Sequence, residues 1–373
     1  MIKMLSIKDF TIGVEEEYQV VDLETRELIE RGKKLIPTAR EELGEDVVQP
    51  EMHRSQIEIA TPVCHNLAEV RELVSNSRRT LIETTAQEGK TIAAAGTHPF
   101  SHWQKQQTTP KERYRGLMQE YQQIIKDLVI FGCHVHVCLE DHELAIQTIN
   151  RARIWLATLL ALTANSPFWL GKDTGYDSYR TELWHRLPLT GPPLVFANYS
   201  EYEQLLKALL TTEAIDDPTK IYWDVRISEK FPTVEFRVTD ICLTVDEAVM
   251  MAGLTRALVW TCYQQAVEKK EFVPVRHELL RSAHWQAARY GLTGNLIDVV
   301  NQHSVPAKEL VAALLEEIRP ALEAAGDWQE ISALVKQTLK GGNAAQRQRQ
   351  AYEKRGNYQD VVDLIVSETA RGL

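Results

Sequence analysis

Glu15 and Glu17 in TIGVEEEYQVVD, His134 and His136 in VIFGCHVHVCLE, and Glu235 and Arg237 in TVEFRVTD share one spacing: two ionisable side chains, two positions apart. In extended backbone, positions i and i+2 point to the same face, roughly 6–7 Å apart. As strands, these segments each present a charged pair to one surface. Glu58 in SQIEIATP extends the set, because it lies between Ile57 and Ile59 and faces away from them. Glu51 comes just before, on a turn begun by Pro50. A surface carrying several carboxylates and two imidazoles is electrostatically poor unless cations occupy it. The pattern therefore points to divalent metal, and with it to a nucleotide phosphate.

Taken singly, each segment has a plainer reading: a solvated strand face, a satisfied core histidine, a cross-strand ion pair. Carboxylates outnumber imidazoles, which favours Mg²⁺ or Mn²⁺. Zinc on His134, His136 and a glutamate is the alternative, although no HExxH spacing occurs. Arg237 suits a phosphoryl oxygen, because its planar fork is always charged and binds bidentately. Arg180 and Arg289 are further candidate clamps. Glu16 shares the other strand face with Ile12, Val14 and Tyr18, so Glu16→Gln is expected to do little.

These residues need strands to hold them. Alternation and β-branched content mark strands over 10–21, 56–60, 91–96, 129–139, 221–227 and 233–238. Helical patterns occupy 66–87, with Asn66 as cap and Glu69 at capping-box spacing, then 111–127, 141–164 and 201–210. A long amphipathic helix is expected over 245–267, capped by Thr244. The C-terminal third shows no strand, only helices near 275–290, 307–324, 329–340, 343–354 and 358–368. Residues 166–193 are rich in Gly and Pro and read as a long functional loop. Strands come early and helices late, without βαβ alternation. The expected fold is α+β, with a mainly antiparallel curved sheet of about six strands and helices on its convex side. A single catalytic domain over 1–373 is expected, sheet-forming to about 245 and helical beyond.

The 373 residues are 44% hydrophobic and 25% charged, ordinary for a globular chain. With a net charge of −10 and no basic run interleaved with aromatics, no nucleic-acid partner is expected. The longest apolar stretch, 154–164, is too short to span a bilayer. MIKMLSIKDF has no leader pattern, and the five scattered cysteines include no CxxC, so a cytoplasmic location is expected. GKDTG lacks the P-loop spacing and follows no strand; GxGxxG and GxSxG are absent.

GVEEEYQVVD, SQIEIATPVC, AAAGTHPF, FGCHVHV, ANSPFWLGKDTGYDSYR, WDVRIS, TVEFRVTD, MAGLTRAL and ARYGL, in that order, resemble the glutamate–cysteine ligase type 2 family. These are bacterial carboxylate–amine ligases of the glutamine synthetase-like superfamily. The resemblance runs from about residue 10 to 294. It implies a sheet whose concave face holds ATP and metals. It also implies a reaction in which ATP converts a carboxylate to an acyl phosphate and an amine displaces the phosphate. The family's metal ligands fall on Glu15, Glu17, Glu51, Glu58, Glu235 and His134. ATP and metal contacts are implied for Glu17, His136 and Arg237, and phosphate or substrate carboxylate for Arg237, Arg180 and Arg289. Lys172, Arg180 or Arg226 would meet the α-carboxylate of glutamate. The expected activity joins glutamate to an amine such as cysteine, with self-association left open. Competing readings are a guanidino kinase of the same fold, a zinc hydrolase on His134 and His136, and a non-catalytic nucleotide-binding regulator.

Overall fold

The computed structural model describes residues 5–373, so the first four residues of the expected leader-free N-terminus lie outside the described residues. Its centre is a seven-stranded sheet: β1 (Ile12–Asp22), β2 (Val48–Pro50), β3 (Gln56–Ala60), β4 (Lys90–Ala93), β5 (Gly132–Cys138), β6 (Val225–Ile227) and β7 (Thr233–Asp240). The spatial order is β6-β7-β5-β1-β3-β2, with β4 paired to the end of β1, and every pairing is antiparallel. The mainly antiparallel α+β expectation holds, with one strand more than expected.

Register brings the charged pairs together. Glu15 lies opposite His134 on β5, and Glu17 opposite Glu58 on β3. Glu235 on β7 lies opposite His136 on one side and Arg226 on the other. The alternate positions Ile12, Val14, Val135, Val137, Val234 and Phe236 enter the main apolar core. A one-residue slip in any of these strands would exchange the two sets, so burial of the apolar face fixes the charged face.

Helices cover that apolar face. α1 (Leu67–Ala86) begins at Asn66, whose side chain accepts the Glu69 N–H, while the Glu69 carboxylate reaches back to the His65 N–H and the Asn66 amide. α2 (Tyr179–Trp184) is capped by Ser178. α3 (Val245–Val267) carries the capping box of Thr244 and Glu247. It is not the amphipathic helix expected, being buried on nearly every side as far as Val259 because helices wrap its outer face too. Gly253 marks such a crossing: a Cβ there would stand 2.5 Å from Ile331 Cδ1. α4 (His277–Tyr290) and α5 (Tyr358–Thr369) complete the elements that touch the site or its supports.

Other departures have local causes. The helix expected over 111–127 breaks at Gln122, whose φ of 50° is left-handed. The helix over 141–164 passes through a 3₁₀ turn at Arg153–Trp155. The strand expected over 221–227 divides at Asp224, whose N–H bonds Gly191 and whose C=O takes the Arg237 N–H. The C-terminal third does hold a hairpin, Asn295–Asp298 with His303–Pro306; its half-exposed strands lack the alternation that would have announced it. Helix Leu35–Leu43 and β2 went unread. The 166–193 loop is largely ordered by the ribbon Phe168–Trp169/Lys172–Asp173 and by α2. No described helix is long and apolar enough to cross a membrane.

Candidate active site

Two groups of ligand-type atoms form on the charged face. Donor atoms of Glu17, Glu51 and Glu58 all lie within 4.8 Å of one another, as do those of Glu15, His136 and Glu235. Among the described residues these are the two groupings of this kind. The first comes from β1, β3 and the turn before β3; the second comes from β1, β5 and β7. Placement on paired strands, three for the second group and two with an adjoining turn for the first, makes both rigid.

The carboxylate trio is electrostatically strained. Burial and the neighbouring Glu51 push the Glu17 carboxyl up to about 7, against the pull of Arg180, the Gly132 N–H and Arg237. Burial and three glutamate neighbours raise Glu58 well above its ordinary value, and burial raises Glu51. Glu51 is held by the Met52 N–H and by Tyr114 Oη at 3.1 Å. Glu17 accepts the Gly132 N–H at 2.6 Å. Three oxygen ligands with surplus negative charge fit a hard divalent cation.

The second group is compensated differently. Burial works to raise the Glu15 carboxyl, but hydrogen bonds from His134 and His136 hold it well below its ordinary value. Its Oε2 lies 3.1 Å from His134 Nδ1 and its Oε1 3.4 Å from His136 Nε2. Glu235 is held low, against burial, by Arg237 and Arg226. Arg226 grips it with Nε at 2.8 Å and Nη2 at 3.3 Å, and Arg237 Nη1 bonds it as well. Burial and Arg237 press His134 down to about 4, so its ring is neutral at physiological pH. The Nε2 of His136 is buried, and its polar neighbour is the long 3.4 Å contact to Glu15, also a member of the group, an arrangement that suits a shared metal ion.

A cavity of about 130 Å³ opens beside Glu17, Glu51, His134, Arg180 and Arg237. Its far wall is apolar, built from Leu117, Ile125, Leu128 and Leu187, members of a separate small core. Arg237 lies 5.9 Å from the Trp184 ring centre. The Nε atoms of Arg180 and Arg237 are both buried and unpartnered. Two guanidinium groups with spare donors beside two cation-binding groups can receive an anion such as a phosphate.

The glutamate–cysteine ligase family 2 (GCS2) model matches residues 11–364. The chain belongs to this family. It is with that an enzyme of the carboxylate–amine ligase type. A Rhodopirellula baltica protein named "Putative glutamate–cysteine ligase 2" is 42% identical over 96% of this chain and 96% of its own. One of the same name from Herpetosiphon aurantiacus is 41% identical over 98% and 94%. The crystal structure of Francisella tularensis glutamate–cysteine ligase in complex with AMP shares the fold, with TM-score 0.72, 12% identity, and coverage of 98% of this chain and 89% of that one.

Within this GCS2 chain, Glu15, Glu17, Glu51, Glu58 and Glu235 reach the two groups, and Arg180 and Arg237 reach the cavity. Of the two histidines it is His136 that joins Glu15 and Glu235 in the second group, while His134, the histidine expected on the metal, lies between Glu15 and Arg237. Arg289 stands outside the groups. It bonds the Gly175 carbonyl and lies over the rings of Tyr176 and Tyr290. Lys172 is exposed on its ribbon, and Arg226 is committed to Glu235. Tyr114, Trp184 and Gly132 were not read from the sequence, since tertiary folding alone brings them there.

The trio makes a pH prediction. Glu17 titrates near 7 when folded and near 4.5 when unfolded, so between those values the folded state holds more protons. The contribution of Glu17 to the stability of the metal-free protein therefore falls as pH rises from about 4.5 to 7, opposite in sign to that of the buried His53, His98 and His134, whose rings are held neutral in the fold. Metal affinity at the trio rises over the same interval as the proton to be displaced is lost. The difference in melting between the native chain and Glu17→Gln across this pH range in chelator, and Mg²⁺ calorimetry in two buffers of different ionisation enthalpy, check both. Mg²⁺ binding without proton release at pH 6 would contradict the assignment.

Proposed function

We propose that the chain is a single-domain, ATP-dependent ligase that activates the side-chain carboxylate of glutamate as an acyl phosphate and joins it to an amine, with cysteine as the acceptor to test first. The observation that carries this reading is the pair of ligand groups beside two arginines with unspent donors. Family membership and the AMP complex of the Francisella tularensis enzyme support the nucleotide.

Glu17, Glu51 and Glu58, and separately Glu15, His136 and Glu235, would hold Mg²⁺, or Mn²⁺ in its place. Bound there, the metal would neutralise phosphate charge and so favour transfer. Arg180 and Arg237 supply fixed positive charge to the phosphoryl oxygens or the substrate carboxylate. A carboxylate is a poor electrophile; phosphorylation gives it a good leaving group and releases ADP. The amine nitrogen then forms the amide bond as the carbon–oxygen bond to phosphate breaks. The apolar wall of Leu117, Leu128 and Leu187 limits water, which would hydrolyse the acyl phosphate.

An ADP-release screen over amino-acid pairs tests the reading. Release is expected only when a carboxylate donor and an amine are both present, with Mg²⁺. AMP formation, or turnover without ATP, would overturn it.

A further inference from the structure

Arg180 projects into the cavity from the first turn of α2, yet no carboxylate of the two ligand groups hydrogen-bonds it. It is 4% exposed, and its Nε has no partner. Among the described residues, the carboxylate that stands in an ion pair with it is Asp240, at 4.0 Å from Nη1. Asp240 ends β7, is fully buried and does not line the cavity.

The contacts of Asp240 all serve the segment that carries Arg180. Its Oδ2 accepts the Asn165 N–H and the Ser166 hydroxyl, both at 2.7 Å. Its Oδ1 accepts the Ser178 hydroxyl at 2.8 Å. Ser166 Oγ in turn accepts the Arg180 N–H at 3.0 Å, and Ser178 is the cap of α2. One carboxylate thus pins both ends of the 166–178 segment and reaches the Arg180 backbone through a single hydroxyl. Asp240 is also the strand partner of Gly132. Gly132 gives its N–H to Glu17, and a Cβ added to it would stand 2.4 Å from Arg180 Nη2. Only glycine lets the guanidinium lie against the strand there.

We propose that Asp240 is a positioning residue: it presets the Arg180 guanidinium toward the anionic group of the substrate without touching that group itself. Its charge faces one side of the guanidinium, leaving the other donors for the ligand, and its hydroxyl contacts fix the backbone from which Arg180 springs. Orientation fixed before binding removes a cost from the bound state. The inference rests on the ligase reading for its main readout.

The test is a cycle of Asp240→Asn and Arg180→Ala, with far-UV circular dichroism to confirm folding. Asp240→Asn is expected to lower kcat/KM at least 10-fold in the native chain and less than 2-fold on the Arg180→Ala background. Added guanidinium ion should restore part of the activity of Arg180→Ala while Asp240 is present, and not in the double variant. A general loss of folding would not produce that dependence. Ser166→Ala, which cuts only the hydroxyl link, gives a smaller loss of the same kind and stands in if Asp240→Asn fails to fold. An equal Asp240→Asn effect with and without Arg180, or rescue indifferent to Asp240, overturns the proposal. If the native chain releases no ADP with any pair, the ligase reading fails instead. The same cycle is then read on Mg·ATP affinity by calorimetry, where additive losses overturn the positioning role.

Discussion

Glu17→Gln lowers ADP release on the order of 100-fold or more, yet raises the melting temperature of the metal-free protein at pH 8. The two effects have one origin. Glu17 is crowded by Glu51 and buried, so its ionised form is costly in the absence of a cation. A neutral amide of the same shape relieves that cost and removes a charged oxygen ligand with it. Losing one preorganised electrostatic group typically costs 10²–10³ in rate, and stability gained by removing functional strain is the usual exchange. Glu235→Gln supplies the contrast. The rate falls by a similar factor, but stability falls too, because Arg226 and Arg237 lose the carboxylate both grip. Activity assays and melting in chelator separate the cases. A Glu17→Gln protein less stable than the native chain at pH 8 would show that the trio is not strained.

Glu16→Gln produces the largest loss of stability among the β1 glutamates, about 3–5 kcal/mol. The sequence places Glu16 away from the charged face and so marks it as dispensable. The structure corrects that expectation. Glu16 and Arg78 are both completely buried and paired at 2.5 Å, and Tyr18 Oη also bonds the carboxylate. Arg78 further donates to the carbonyls of Leu243 and Cys242 at 2.9 Å and of Thr369 at 3.4 Å. Halving such a pair strands a buried charge, whereas an apolar replacement of both partners can be neutral. Urea unfolding checks the figure, and a change below about 1 kcal/mol would exclude a supporting role for the pair. Equal activity losses at 15, 16 and 17 per folded molecule would mean that strand alternation does not govern function.

Period-two spacing made β1, β3, β5 and β7 readable, and with them the facing of Glu15, Glu17, Glu58, Glu235 and Arg237. It could not say which imidazole would join Glu15 and Glu235. Both histidines share a face, and that choice is set by the β5–β7 register. Arg78 was invisible for a different reason: an arginine on a helix ordinarily points to solvent, and only a buried acidic partner from another element reverses that. Asp240 belongs to a motif that was noticed for its Glu and Arg. Its role depends on Ser166 and Ser178, which reach it only through the folded loop. The hairpin at 295–306 carries too little apolar alternation to stand out. Arg289, ranked with the clamps by motif, lies outside both groups because α4 places it against Gly175.

Thr369 closes α5 with its hydroxyl on the Ala94 N–H and its carbonyl toward Arg78. Ala94 follows β4, and Arg78 anchors the back of β1. The strand bearing Glu15 and Glu17 therefore finds its last support some 350 residues after it is made. During translation, Glu16, Leu243 and Cys242 can engage Arg78 first, and the contacts of Thr369 with Arg78 and Ala94 close only once position 369 has emerged from the ribosome. A chain stalled or clipped ahead of α5 would leave the Ala94 N–H and the Thr369 side of Arg78 uncovered, a weak point open to chaperones and proteases.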